Sequence, residues 1–423
     1  MVQDWKDRLV RTLLWSQKYT KTDMVYLARG GFWLTLGQAV TSLSALALAI
    51  AFANLVPPET YGTYKYLLSI AGVFAIFTLP GMNMAFARAV AQGHEGLISS
   101  ITRSRVAHSF LGSAVALAGS GYYFLNENLE LSLALLVIAA TLPVFDTTTG
   151  YLSYLLGKRR FDLQTTYHLL TQAVSVAVLI GTIFFTHNII LILLAYFVPL
   201  ILVRGFLYFR TVRAISKDEA GVDETRETHT YGKHLTAMQI LAVISGNIDK
   251  ILLWKFFGPT QLAIYAFALA IPEQIKGPLK GVGELAFPKF AAQTPEQIRA
   301  SLPALFRKIG LYALGLLAIS VVYILAAPYI FALLFPQYME SVLYSQIFAL
   351  SLVTGASSIA LAILSAQKKT TVQYAVTTVQ PLITVALLLF LVPLYGVMGA
   401  ILALVASRFI AAFIFLGSLF TLK

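Results

Sequence analysis

The residues of this sequence most able to do chemistry are ionisable side chains inside long apolar runs. Glu273, Lys276, Lys280 and Glu284 recur every three or four residues, which sets them on one stripe of a helix. Pro272 and Pro278 bend that helix, and Gly277, Gly281 and Gly283 thin it. Such a helix suits the wall of a polar cavity, although the same spacing allows internal pairing of Glu273 with Lys276 and of Lys280 with Glu284. Arg408 stands in another apolar run. With Lys276 and Lys280 it would make a cationic lining of the kind that binds an anion by charge and hydrogen bonds. A packed, paired Arg408 is the competing reading. Asp146 lies in Leu142-Pro143-Val144-Phe145-Asp146-Thr147-Thr148-Thr149. It is a candidate for a coupling cation, H+ or Na+, or for hydrogen bonds to the neighbouring threonine hydroxyls. Asp249 and Lys250 are candidates for gating. Arg88 could meet an anionic headgroup at a cavity mouth or simply mark a basic loop.

Other chemistries are excluded. There is no cysteine, hence no thiolate nucleophile or thiolate metal site. No His or carboxylate cluster has metal spacing, and isolated histidines such as His108 and His168 read as satisfied polar residues. Gly281-Val282-Gly283 stands in an apolar helix and not after a strand, so it is not a dinucleotide loop. No cofactor is implied.

The elements that must position these residues follow from composition. Of 423 residues, 58% are hydrophobic and 12% charged, with a mean hydropathy of +0.76. Soluble domains carry roughly 25% charged residues. The solvent for this much apolar surface is lipid. A charge at the bilayer centre costs roughly 2.5–3.5 kcal/mol. Several facing lipid would together exceed a net stability of about 5–15 kcal/mol, so they must face a wet cavity or one another.

Apolar runs of spanning length predict an all-α integral membrane protein of about twelve transmembrane helices. Spans fall near 30–54, 63–87, 106–125, 131–156, 163–186 and 189–211, then near 233–256, 260–289, 304–326, 342–365, 370–392 and 397–420. Every second connection is basic. Twenty-seven of the 31 Lys and Arg residues fall at the N-terminal segment, at Arg88, Arg103 and Arg105, at Lys158–Arg160, in the region from Arg204 to Lys233, between Lys276 and Lys308, at Lys368–Lys369, and at Lys423. The intervening connections, among them 57–60, 258–260 and 393–396, contain neither residue. The alternation predicts both termini in the cytoplasm and accounts for most of the net charge of +12 without nucleic acid. Residues 1–29 predict a cytoplasmic amphipathic segment lacking the features of a secretory signal.

The halves repeat. At an offset of about 201 residues Gln38 meets Gln239, Ser44 meets Ser245, Pro58 meets Pro259, Tyr64 meets Tyr265, and Ala85-Phe86 meets Ala286-Phe287. Six helices per half predict two lobes, 30–212 and 233–423, related by a pseudo-twofold axis along the membrane normal. A polar cytoplasmic loop at 213–232 joins them. Transporters with parallel repeats bind substrate near the midplane between the halves and rock one against the other.

Short motifs carry a family resemblance. Ala28-Arg29-Gly30-Gly31 and Pro57-Pro58-Glu59-Thr60-Tyr61-Gly62-Thr63-Tyr64 resemble the first-helix region of polysaccharide and oligosaccharide (O-antigen-type) flippases. Asn247-Ile248-Asp249-Lys250-Ile251-Leu252-Leu253, with Gly258, Ala263-Ile264-Tyr265 and Phe287-Pro288, resembles their seventh and eighth helices. These flippases belong to the multidrug/oligosaccharidyl-lipid/polysaccharide exporter superfamily. The resemblance implies alternating-access transfer of undecaprenyl-pyrophosphate-linked oligosaccharide across the cytoplasmic (inner) membrane, not an enzyme activity. It implies the lipid-linked substrate and membrane lipids as partners, with polysaccharide polymerase and assembly proteins nearby. Lipid II is disfavoured, because its flippases carry two further helices and arginines in the first two helices. A multidrug exporter of the same superfamily is the alternative, one that would favour an acidic or aromatic cavity. A membrane glycan polymerase or ligase would need a longer outer loop.

Overall fold

The computed structural model describes residues 24–215, 221–291, 293–367 and 378–421, with the backbone alone at 24–32, 34, 222, 277–289, 291, 295 and 421. The amphipathic N-terminal segment lies mostly outside these residues, as do Lys368 and Lys369.

The described chain is helical: α1 (Met24–Leu55), α2 (Pro58–Phe74), α3 (Gly81–Ala91), α4 (Ile98–Leu125), α5 (Leu129–Phe145), α6 (Gly150–Gly157), α7 (Phe161–Phe185), α8 (Ile189–Val212), α9 (Val222–Ser245), α10 (Ile248–Ala291), α11 (Pro295–Leu334), α12 (Ser341–Ala349), α13 (Ser357–Ala366) and α14 (Gln380–Ser418). Among the described residues seven helices, or continuous helix pairs, are long and apolar enough to cross a membrane, and eight if the bent pair α2–α3 counts as one. Large apolar side chains such as Leu125, Phe185 and Leu333 are more than three-quarters exposed, as a lipid-facing surface requires. The molecule is a multi-pass membrane protein.

The count of seven or eight differs from the expected twelve for physical reasons. The second expected span breaks where Ala75–Thr78 tightens to a 3-10 turn and Leu79 turns left-handed at φ 54; its two parts bend by 45°. The eighth, charged as expected, merges with the end of the seventh into the 44 residues of α10, across a non-helical Gly258 at φ 81, ψ 179. Likewise α14 runs through Gly396 at φ 57, ψ −130. Both backbones occupy regions essentially confined to glycine, and both glycines stand where the sequence places short connections. The segment expected as a loop at 213–232 is helical from Val222, with Asp223 and Glu224 in the first turn, where acids complement the helix dipole.

The halves share one core at a single end. Around the turns at 57–60 and 258–260, one buried cluster takes Phe52, Tyr61 and Tyr64 from the first half and Tyr265, Phe267, Phe335 and Tyr338 from the second. Tyr61 stacks on Phe267 at 4.7 Å and Tyr66 on Trp254 at 4.0 Å. Thr260 Oγ1 donates to Glu59 Oε1 at 3.3 Å, and these residues are equivalent at the 201-residue offset. At the opposite, basic end the cores are separate. One holds Met82, Phe86, Ile98, Tyr151 and Tyr208, the other Phe290, Ile298, Leu305, Ile363 and Phe415. There α9 bridges, its Thr236 accepting the Gly81 N–H at 3.0 Å.

Candidate functional site

Among the described residues an arginine-centred polar cluster lies inside the helices of each half, and each is built on a broken helix. A break in a membrane helix frees backbone carbonyls that water cannot satisfy. In the first half the breaks follow α2 and α5, the latter at Asp146 and the 3-10 turn Thr147–Thr149. Arg105 of α4, 1% exposed, reaches both. Its Nε donates to the Thr78 carbonyl at 2.8 Å. Its Nη1 donates to Asn83 Oδ1 at 2.9 Å, to Thr149 Oγ1 at 3.1 Å and to the Thr147 carbonyl at 3.4 Å. Its Nη2 pairs with Asp146 Oδ2 at 3.0 Å, and Thr78 Oγ1 donates to the same oxygen at 2.9 Å. Arg204 of α8 donates to the Phe145 carbonyl at 2.9 Å, its guanidinium 4.9 Å from the centre of the Phe145 ring.

Three sequence expectations are corrected here. The Asp146 carboxylate does not take the neighbouring threonine hydroxyls, which donate to the backbone carbonyls of Pro143, Val144 and Asp146. Arg105 and Arg204, counted with the basic connections, hold the breaks, Arg105 from within α4 and Arg204 from within α8, inside the span expected at 189–211. The sequence signal for this was present: Asp146 needs a countercharge, and Pro143 announces a disrupted helix.

In the second half Glu273 and Lys276 project from α10, and Arg408 comes from α14. Arg408 forms an ion pair with Glu273, donates to Ser351 Oγ at 2.9 Å and lies over the Phe348 ring at 4.5 Å. Lys276 Nζ is 4.0 Å from Glu273. Ser351 belongs to the 3-10 turn Leu350–Ala356 that interrupts α12 and α13. Arg204 and Arg408 thus repeat one device, an arginine over a phenylalanine at a broken helix. Their spacing of 204 residues lies near that of the sequence repeat. The Lys280 and Glu284 side chains lie outside the described residues, although both belong to α10.

The remaining candidates stand apart. Asp249 is buried; it accepts from Tyr265 OH at 2.5 Å and pairs with Lys250 at 3.1 Å, near the shared core. Arg88 is at the basic end, 4.0 Å from Glu227 of α9 and 5.2 Å from the Tyr231 ring centre. Among the described residues no group of acids and histidines is arranged to hold a metal.

Comparisons with known proteins agree with this architecture. A family model described as polysaccharide biosynthesis protein matches residues 27–292. No curated protein matches by sequence. Solved structures similar to the chain include the lipid II flippase MurJ in an inward closed conformation. It has a TM-score of 0.61 and 15% identity, over 91% of this chain and 87% of that one. An inward-facing multidrug resistance MATE family transporter of the MOP superfamily has a TM-score of 0.62 and 15% identity, over 90% and 94%. A MOP superfamily transporter from Pyrococcus furiosus has a TM-score of 0.53 and 14% identity, over 93% and 96%. At these identities the likeness is one of fold.

Proposed function

The chain belongs to the polysaccharide biosynthesis protein family, and from that premise we propose that it is a transporter flipping undecaprenyl-pyrophosphate-linked oligosaccharide across the cytoplasmic membrane. The observation that carries this reading is the convergence of Lys276 and Arg408 on Glu273. Two cations on one carboxylate can exchange that partner for an incoming pyrophosphate, an anion that Lys and Arg recognise by charge and hydrogen bonds. Lys280, from the same stripe, and Glu284 complete the proposed cavity wall, with Arg88 at its mouth.

In this reading the chain crosses the membrane twelve times, in lobes 30–212 and 233–423 with both termini cytoplasmic. The glycine breaks in α10 and α14 support it, since each divides a helix of about 40 residues at a site where the sequence lacks Lys and Arg. The shared core then closes the outer end, and the separate cores at the basic end belong to an inward-facing state. Asp249 with Tyr265 and Lys250 helps to hold the outer closure. Asp146, bound to Arg105, keeps the broken helices in place and is a weaker candidate for the coupling cation.

The test is Lys276→Ala in the producing cell. Surface polysaccharide should disappear while the protein level stays normal and lipid-linked precursor accumulates on the cytoplasmic side. Unchanged export would remove the cavity assignment. Unchanged polysaccharide with a loss of resistance to cationic drugs would favour the multidrug exporter.

A further inference from the structure

Beside the Arg105–Asp146 centre the first half contains two adjoining cavities, of about 240 Å³ and about 190 Å³, which share Leu152 and Gln164 as lining. Together they reach the range of roughly 300–1,000 Å³ that small-molecule sites occupy. Their walls come from α1, α3, α6 and α7 and from the turn before α6. Two of these helices, α1 and α3, also pack against the second half, so the groove adjoins the elements that join the lobes.

The lining is uncharged and mixed, with polar side chains set among a larger apolar surface that includes Leu152, Met84 and Leu156. Gln38, Thr41, Gln164 and His168 line the first cavity, and Asn83 and Ser153 join them in the second. Among the described residues no Lys, Arg, Asp or Glu lines either one. Such a surface offers no net charge to a pyrophosphate, and its mixture of apolar and hydrogen-bonding groups matches a sugar, which presents C–H faces as well as hydroxyls. Amide, hydroxyl and imidazole groups both donate and accept, as sugar hydroxyls do. The groups are also arranged. Thr41 Oγ1 and His168 Nε2 lie 3.2 Å apart. Asn83 Oδ1 is taken by Arg105, which leaves its amide nitrogen to donate. Gln164 lines both cavities and its Oε1 is buried without a hydrogen-bond partner, so the amide gains an acceptor bond by turning toward the groove.

We infer that this groove is a glycan-binding subsite, and that the halves divide the substrate. The first takes sugar hydroxyls through Gln38, Thr41, Gln164 and His168, and the second takes the pyrophosphate. This rests on the flippase reading above. It assigns chemical roles to the inequality of the two halves, since selectivity for sugar would reside in the uncharged groove of the first.

Two ligands separate the inferences: lipid-linked oligosaccharide extracted from the producing cells, and undecaprenyl pyrophosphate without sugar. Both are titrated against the purified full-length protein. The wild type should bind the glycan-bearing lipid at least about tenfold more tightly, the scale of one or two well-made hydrogen bonds. Gln164→Leu and Thr41→Val should each remove most of that advantage and leave binding of the bare lipid unchanged, which also shows the variants folded. A wild type indifferent to the glycan, variants that keep its advantage, or variants that weaken both ligands equally would overturn the glycan subsite. A wild type that binds neither ligand would overturn the flippase reading itself.

Discussion

Arg105 carries five N–H donors and sets them on the breaks after α2 and α5 and on Asp146. Losing one partner of a buried ion pair costs about 3–5 kcal/mol. For Arg105→Gln the lower end is expected, because the Asp146 side chain keeps 26% exposure and can find water. The thermal midpoint in detergent should fall, and Arg105→Gln with Asp146→Asn should be less damaging than the two changes summed. Strict additivity in that double-mutant cycle would mean the pair is not coupled. At this scale the sequence was legible in one half and misleading in the other. The stripe on α10 was visible from its spacing, and Glu273 does bind Lys276. Arg105, two residues from Arg103, read as an ordinary loop cation. Only a contact between residues 41 positions apart revealed its role.

Broken elements position both centres, and the breaks obey local rules. Gly396 needs its positive φ, and a Cβ there would also lie 3.3 Å from the Phe257 ring. Gly396→Ala should therefore cost about 1–3 kcal/mol, read as a lowered midpoint, while Gly181→Ala, where a Cβ meets nothing, should be neutral. The polar start of α9 is the other element whose behaviour can be tested. His229 Nε2 lies 3.0 Å from Ser100 Oγ, and burial, then the nearby Lys233 and His108, push its pKa below the ordinary imidazole value. The folded contact therefore favours neutral imidazole. Its contribution is complete above pH about 6.5, the unfolded value, and is lost as pH falls through the lower folded value. Hydrogen exchange in residues 222–236 should rise on acidification, and His229→Gln should abolish that rise. The periodicity of 213–232 gave no warning of this helix, because its charged residues suit a loop and a solvated helix equally. Its packing against α3 through Gly81 and Gly232 decides between them.

Across the whole molecule the contrast between the two ends is the main result. One aromatic core joins the halves around Glu59 and Thr260, while the basic ends keep cores of their own. A Cβ on Gly62 would fall 1.9 Å from the Pro259 carbonyl oxygen, so the equivalent turns meet backbone to backbone. If this closure opens during transport, Glu59→Cys with Thr260→Cys should crosslink on oxidation and halt transport until reduced. The absence of native cysteine makes the test direct. Uninterrupted transport by the crosslinked protein would show that these ends need not separate.

By itself the sequence determined the membrane as solvent and the helical class, because each depends on composition or on spacing along the chain. It also marked α10 and Arg408 as unusual, since a charge in an apolar run is visible without a fold. Tertiary structure alone decided which charges neutralise which. It matched Arg105 to Asp146, Arg408 to Glu273, and Arg204 and Arg408 to equivalent broken helices. It also gathered Gln38, Thr41, Gln164 and His168 around one groove. Partners brought together from separate helices leave no mark in local periodicity, and an uncharged polar residue in an apolar helix announces nothing until its neighbours are in place.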